Sequence, residues 1–468
     1  MQKNPEFAEN MYLSTPLAKL FVKTALPIIL IMFTNGLYTV VDGWFVGRFV
    51  GAEALSAVTM VFPLYMIVIA LGTLVSSGFS SVLARMLGAG EYDRGAHAMS
   101  SALILSAFVC AFLVALYELF GSDLIIAIAN GSPSLAGMGD LYISLTIFLS
   151  PVFFLVAMLS DSFRCQGKLG LMTLITVLSV LFNMFFNYLL IVEFNMGVAG
   201  SAYGTALAQT AASIIALGYM YSNDGVLRFK ISRFADLFRH WFDYIALGAP
   251  TSLSYIGVSA MSASIIYQIQ IWNADTYETT VAAYGIVTRL LTFGYMPLLG
   301  LTLAQQAIIG NNFGARNWDR VVSSLKITIV TSLIYCAALQ IIFITLAGPI
   351  SSIFVDDPRV IAETARILPP QILLYLLFGP LLMLPSFFQS IGDAKRAGIL
   401  GLTKIYVFGI PFILFLPTLI GEMGIWYAGV VTEVAALSLS SLVLWQVFSK
   451  GKRGKAFLET RAANASAD

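Results

Sequence analysis

The stretch Thr34-Asn35-Gly36-Leu37-Tyr38-Thr39-Val40-Val41-Asp42 decides how this chain is read. It lies in the second half of the first long apolar segment, residues 18–46, and brings a carboxylate into it. At roughly 100° per residue, Asn35, Tyr38 and Asp42 fall on one helical face within an arc of about 60°. A charge at bilayer depth costs about 2.5–3.5 kcal/mol even on lenient insertion scales, so such a residue needs a reason. The reason is either function or local structure: a coupling group, or a carboxylate satisfied by backbone donors or lodged among lipid headgroups.

In the whole chain, 58% of the 468 residues are hydrophobic and only 11% are charged, which excludes an ordinary soluble domain with its roughly 25% of charge. A net charge of +1 gives no pull toward nucleic acid, and none is expected as a partner. Cys110, Cys165 and Cys336 lie far apart in or beside apolar segments, which makes neither a disulfide framework nor a metal motif. His97 and His240 sit in polar connections, so no histidine relay crosses the apolar region. No metal and no cofactor are expected. Lys3, Glu6 and Glu9 precede a first segment too long for the core of a cleavable signal.

Twelve apolar segments reach or approach the roughly 20 residues that span a bilayer, and in lipid such spans are helices. They fall near 18–46, 53–80, 97–121, 138–163, 169–192, 197–221, 244–271, 280–303, 321–346, 361–388, 396–419 and 425–448. Met11 to Lys23 could form an amphipathic lead-in at the interface. Twenty basic residues fall in the connections and tails of one side, among them Arg85, Arg94, Arg164, Lys230 and Arg320. Only Arg48 and Arg359 fall on the other, so both termini are expected in the cytoplasm.

The polar connection from Ser222 to Trp241 separates two sets of six segments, and the sets repeat. Gly88-Ala89-Gly90-Glu91-Tyr92-Asp93-Arg94 returns as Gly314-Ala315-Arg316-Asn317-Trp318-Asp319-Arg320, an offset of 226. Pro27 returns as Pro250, Phe163 and Gly167 as Phe388 and Gly392, and Gly197 and Thr205 as Gly424 and Thr432, at offsets of 223, 225 and 227. An even number of spans per half makes the repeat parallel, about an axis along the membrane normal, as in secondary transporters. These features describe an all-α integral membrane protein with twelve transmembrane helices in two parallel-repeat six-helix bundles. The parts are a cytoplasmic N-terminal segment 1–17, a bundle 18–221, a cytoplasmic linker 222–243, a bundle 244–449 and a cytoplasmic tail 450–468.

The Pro27–Pro250 offset sets Ile265 opposite Asp42, so the second half has no matching carboxylate. Asn183 and Asn187 form an i,i+4 pair on the fifth span, and Thr205 and Gln209 another on the sixth. Their hard oxygens suit a small cation, while the bland alternative is interhelical hydrogen bonding worth about 0.6 kcal/mol each. For Gln209 the bland alternative is favoured. Pro27 lacks the N–H donor and should kink or loosen the first span. Glu433 on the twelfth span reads as a structural, water-accessible glutamate.

Several stretches together resemble the multidrug and toxic compound extrusion family. They are Leu26-Pro27, Tyr38-Thr39-Val40-Val41-Asp42, Gly51-Ala52-Glu53-Ala54-Leu55-Ser56-Ala57, Ala84-Arg85-Met86-Leu87-Gly88-Ala89-Gly90, Phe163-Arg164-Cys165-Gln166-Gly167 and Gly197-Val198-Ala199-Gly200-Ser201-Ala202-Tyr203-Gly204-Thr205. The seventh span, opening Gly248-Ala249-Pro250-Thr251, has no interior acid, which is similar to the DNA-damage-inducible branch. The resemblance implies an efflux antiporter of the inner membrane exporting amphipathic, cationic organic compounds, acting as a monomer. It implies a proton- or cation-coupling set at Asp42, Asn183, Asn187 and Thr205, with Tyr38, Asn35 and Pro27 in the substrate cavity or its gating. Asn187 stands where the branch has Asp; with one carboxylate instead of two, proton coupling is expected over sodium. The alternatives are a lipid-linked saccharide flippase of the same superfamily and an integral-membrane enzyme. Against the flippase, Arg289, Lys326, Arg366 and Lys404 are the only basic residues clearly within spans. Against an enzyme, no nucleophile–His pairing or paired intramembrane carboxylates are found.

Overall fold

A computed structural model of the chain describes residues 10–129, 132–222, 240–448 and 456–462, with positions 227, 229, 230 and 238 between them. Most of the expected linker, with Arg228, Arg233 and Arg239, and the tail residues Lys450, Lys452, Arg453 and Lys455 lie outside the described residues. Among the described residues all regular structure is helical. They form two compact units, one of residues 10–15 and 26–252, the other of residues 16–25 and from 253 onward.

In the first unit, α1 (Met11–Ser14) is capped by the Asn10 side chain and ends before Pro16, which cannot donate a backbone hydrogen bond. The expected lead-in is therefore broken. Tyr12 is fully buried, its hydroxyl donating to the Arg164 carbonyl at 2.6 Å, so this short helix docks on protein. Next, α2 (Leu17–Phe45), which belongs to this unit from Leu26, runs on through Pro27 into a π turn, Val46–Val50. There follow α3 (Ala52–Met60), α4 (Phe62–Gly88), α5 (Tyr92–Ile128), α6 (Pro133–Phe148), α7 (Ser150–Cys165) and α8 (Leu169–Asn187). A second π turn, Tyr188–Glu193, continues α8 before α9 (Gly197–Tyr221), and α10 (Trp241–Trp272) belongs to this unit as far as Ser252. The second unit holds α11 (Tyr277–Gly314), α12 (Trp318–Thr345), α13 (Ala347–Ser351), α14 (Pro358–Gln371), α15 (Tyr375–Ser390) and α16 (Ala394–Leu402). It closes with a third π turn, Thr403–Gly409, then α17 (Ile410–Ile420) and α18 (Met423–Phe448).

Eight helical stretches are long and apolar enough to cross a bilayer, and two bent pairs raise the number to ten where twelve spans were expected. The bent pairs are α6 with α7, at 49°, and α14 with α15, at 54°. Prolines account for both: Pro151 sits in the first turn of α7, and Pro369 and Pro370 in the last turn of α14, where a missing N–H opens the ladder. The two remaining expected spans are α9 and α10, with 25 and 32 residues. They have the length but carry many glycine, serine, threonine and glutamine residues, which lowers their apolarity.

Those small residues have a packing use. A Cβ on Gly78 of α4 would stand 1.9 Å from the Tyr244 carbonyl oxygen of α10, and one on Gly248 would stand 1.8 Å from that of Leu74. The two backbones touch, as small residues permit where lipid gives helices no hydrophobic reason to associate. On α9, Gly200, Gly204 and Ala208 repeat every four residues and are buried. A Cβ at Gly200 would meet Ile191 Cγ1 at 2.9 Å.

The internal repeat is visible in the backbone. After α4, Glu91 N–H bonds Met86 O at 2.9 Å and Gly90 N–H bonds Leu87 O at 3.1 Å; after α11, Asn317 bonds Asn312 at 2.8 Å and Arg316 bonds Phe313 at 3.0 Å. Both are Schellman caps, with Gly90 at φ +79° and Arg316 at φ +58°. The same device closes α7 and α15, with Gly167 at φ +78° and Gly392 at φ +81°. A side chain in this region costs roughly 1–2 kcal/mol. Nothing lies within 4 Å of a Cβ added at Gly90, so Gly90→Ala should lower thermal stability in detergent by about that amount. Arg316→Gly should raise it. Melting curves that move the other way would refute this account of the turns.

Candidate functional site

Three helices of the first unit bring one polar cluster together. Asp42 sits in the last turn of α2, Asn183 and Asn187 share a face of α8, and Ser201 and Thr205 share a face of α9. Asp42 Oδ1 accepts two hydrogen bonds, from Asn187 Nδ2 at 2.8 Å and from Ser201 Oγ at 2.8 Å. Asn187 Nδ2 also donates to Asn183 Oδ1 at 3.2 Å, and Asn183 Nδ2 to Thr205 Oγ1 at 3.1 Å. The result is a continuous chain from the carboxylate on α2 to the hydroxyl on α9. Among the described residues nothing donates to Asp42 Oδ2.

The local sequence explains the placement. An i,i+4 spacing on each of α8 and α9 aligns two polar groups per helix, and the glycine stripe of α9 lets the helices close until those groups meet. A Cβ on Gly204 would stand 2.3 Å from Asn187 Oδ1, so only glycine leaves room for the amide. Directly after Asn187 the α-helix gives way to the π turn Tyr188–Glu193, a distortion found at functional sites. Asn183, Asn187 and Ser201 are fully buried, and Asp42 is half-buried. In its present orientation Asn187 Oδ1 is buried without a hydrogen-bond partner.

The sequence profile of the MatE family matches this chain twice, over residues 27–189 and 250–415. The chain belongs to the MatE family. Each match opens on one of the paired prolines, Pro27 and Pro250. MatE proteins are membrane transporters, so this integral membrane chain is a transporter and not an enzyme. A multidrug export protein MepA of Staphylococcus haemolyticus is 23% identical over 442 residues, 94% of this chain and 96% of that protein. A MOP superfamily transporter from Pyrococcus furiosus is 21% identical and has a TM-score of 0.83, covering 97% of this chain and 99% of its own. A MATE protein in a bent conformation reaches a TM-score of 0.86 at 21% identity, over 98% of this chain and 100% of its own. The MatE fold is thus shared over nearly the full length.

The other residues singled out in the sequence lie apart from this chain of bonds or outside the described side chains. Asn35 is exposed, and Pro27 lies inside α2. The side chains of residues 37–40, Tyr38 among them, lie outside the described residues. Gln209, one turn beyond Thr205, has its Oε1 buried without a hydrogen-bond partner. Ile265, opposite Asp42 in the repeat, is buried. Glu433 belongs to the second unit and forms an ion pair with Lys404, Nζ to Oε1 2.8 Å and to Oε2 3.0 Å. Ser201, Gly204 and Lys404 escaped the sequence reading of the site. Ser201 stands four residues before Thr205, which is the signal that would have found it.

Proposed function

We propose that this MatE protein exports amphipathic, cationic organic compounds in exchange for protons, with Asp42 as the proton-binding group. The observation that carries this is the hydrogen-bonding of the carboxylate. Both donors fall on Oδ1, so a proton on Oδ2 can arrive and leave without breaking the chain through Asn187, Asn183 and Thr205. As they stand, the Asn187 amide and the Ser201 hydroxyl present N–H and O–H hydrogens to the carboxylate, which suits an anion that takes up a proton. The export names of relatives such as MepA support efflux.

Loading Asp42 with a proton removes its charge, releases a cationic substrate that its charge had held, and lets the α2 segment around Pro27 change shape. Emptying it on the other side restores the charge and the affinity. Each pH unit of gradient supplies about 1.4 kcal/mol, a tenfold concentration ratio for one proton per substrate. The basic-residue asymmetry supports an inner-membrane location with both termini in the cytoplasm. The flippase alternative loses ground because two of its four candidate cations are already neutralised. Arg366 is held by Glu363 and Glu422, and Lys404 by Glu433.

Sodium is the competing ion, and the unpartnered Asn187 Oδ1 is the observation in its favour. Turning the amide would aim that oxygen toward Asp42 Oδ1 and Asn183 Oδ1, three oxygens for one small cation. Proteoliposomes separate the two. An imposed pH gradient should drive uptake of a fluorescent lipophilic cation and an imposed sodium gradient should not; transport that follows sodium at constant pH would replace the proton by sodium.

A further inference from the structure

The second unit carries a charged pair that proton coupling at Asp42 does not use. Lys404 and Glu433 lie within apolar helices, where an ionisable residue is costly and marks function. Lys404 stands in the π turn Thr403–Gly409 between α16 and α17, and Glu433 on α18. The ammonium has a second neighbour besides the carboxylate: Lys404 Nζ lies 4.5 Å above the centre of the Phe378 ring on α15. Phe378 is stacked on Tyr375, with centres 5.2 Å apart and planes 6° apart, and meets Tyr295 of α11 edge-on at 5.9 Å. The ammonium thus lies between a carboxylate from α18 and a ring face from α15, and that ring is itself held by Tyr375 and by Tyr295 of α11.

That is the chemistry by which proteins recognise organic cations: a ring face attracts the charge, and a carboxylate fixes it. A pair that only tied this π turn to α18 would need no aromatic floor from α15. Lys404 and Glu433 side chains are 17% and 12% exposed, so the pair is reachable from outside the protein core. Tyr375, whose ring stacks on Phe378, has its hydroxyl buried without a hydrogen-bond partner, a polar capacity left unused in the present arrangement. A lysine on a flexible four-carbon stem can leave such a place without moving the backbone.

We propose that Glu433, Phe378, Tyr375 and Tyr295 form an organic-cation site in the second unit, and that Lys404 is its built-in occupant. An incoming lipophilic cation takes the place of the ammonium on Glu433 and the ring faces, and Lys404 swings aside; when the cation departs, the ammonium returns. The site is never left as a bare carboxylate in an apolar surrounding. This rests on the reading that the protein exports organic cations, and adds where in the second unit they are held and what keeps that place between loads.

The test measures equilibrium binding of tetraphenylphosphonium, and of tetraphenylborate as its anion of the same shape, to the full-length protein in nanodiscs. Transport of the cation is followed in parallel. Removing the occupant by Lys404→Gln should tighten tetraphenylphosphonium about tenfold, since the open site is then populated all the time. Tetraphenylborate should bind no tighter. Glu433→Gln should weaken the cation about tenfold or more. Phe378→Leu, which leaves the ion pair whole, should weaken it about threefold and gives a readout if Lys404→Gln does not fold. Unchanged or weaker cation binding in folded Lys404→Gln overturns the inference, as does equal tightening of both ions, or unaltered binding in Phe378→Leu. Wild-type protein that exports the cation while these variants behave so overturns this inference alone. Wild-type protein that neither binds nor exports it overturns the efflux reading and this inference with it.

Discussion

Asp42→Asn should leave the protein folded and inserted while abolishing export driven by a pH gradient. Asparagine keeps the shape of the side chain and an oxygen that accepts from Asn187 and Ser201 as Asp42 Oδ1 does, at 2.8 Å each. It removes the one thing the mechanism needs, an oxygen that gains and loses a proton. Accumulation in proteoliposomes should therefore stop responding to the gradient, a loss of about tenfold for every pH unit imposed. Stability should change little, because the hydrogen bonds are kept, and a melting curve with size-exclusion elution in detergent checks this. Full gradient-driven transport by the folded variant would remove Asp42 from the mechanism.

Gly204→Ala tests the network without touching a polar group. Its Cβ would sit 2.3 Å from Asn187 Oδ1 and 3.2 Å from the Asn187 backbone nitrogen, so the amide must turn or the helices must part. Overpacking of this kind costs about 1–3 kcal/mol. The Asn187 bonds to Asp42 and Asn183 are the ones that give way, and coupled transport should fall about tenfold or more, the equivalent of 1.4 kcal/mol. Gly218→Ala on the same helix is the control, since nothing lies within 4 Å of its added Cβ and transport should be unchanged. Normal transport by Gly204→Ala would mean that the bonded chain is ornamental to coupling.

Polar residues in an apolar sequence are conspicuous, which is why Asp42, Asn183, Asn187 and Thr205 stand out in it. The structure joins those four by hydrogen bonds. Ser201 was hidden for the opposite reason. In the run Gly197-Val198-Ala199-Gly200-Ser201-Ala202 a serine looks like one more small packing residue, and only its distance from Asp42 gives it a role. Lys404 and Glu433 were each visible as charges, but their pairing depends on how α18 turns against the π turn before α17, which periodicity does not fix. The repeat was legible because its matched positions are backbone requirements, such as the left-handed turns at Gly90 and Gly167. The bends in α6–α7 and α14–α15 were legible in principle from Pro151, Pro369 and Pro370. Counting long apolar runs passed over them, because hydropathy averages across a bend.

The Lys404–Glu433 pair also has an electrical meaning. A unit charge carried fully across a membrane voltage exchanges about 2.3 kcal/mol with the field per 100 mV. The two charges of the pair sum to zero, so whatever path α17 and α18 follow through the bilayer, the voltage does no net work on them. Asp42 is held by neutral donors among the described residues, so its charge is cancelled only by a proton or by a bound cation. In exchange Asp42 crosses with a proton or a cation on it, neutral on both legs, and the field grips it only in the empty, unprotonated state. An empty, unprotonated crossing would uncouple export from the proton, so a living cell's voltage acts on that leak and not on the coupled cycle.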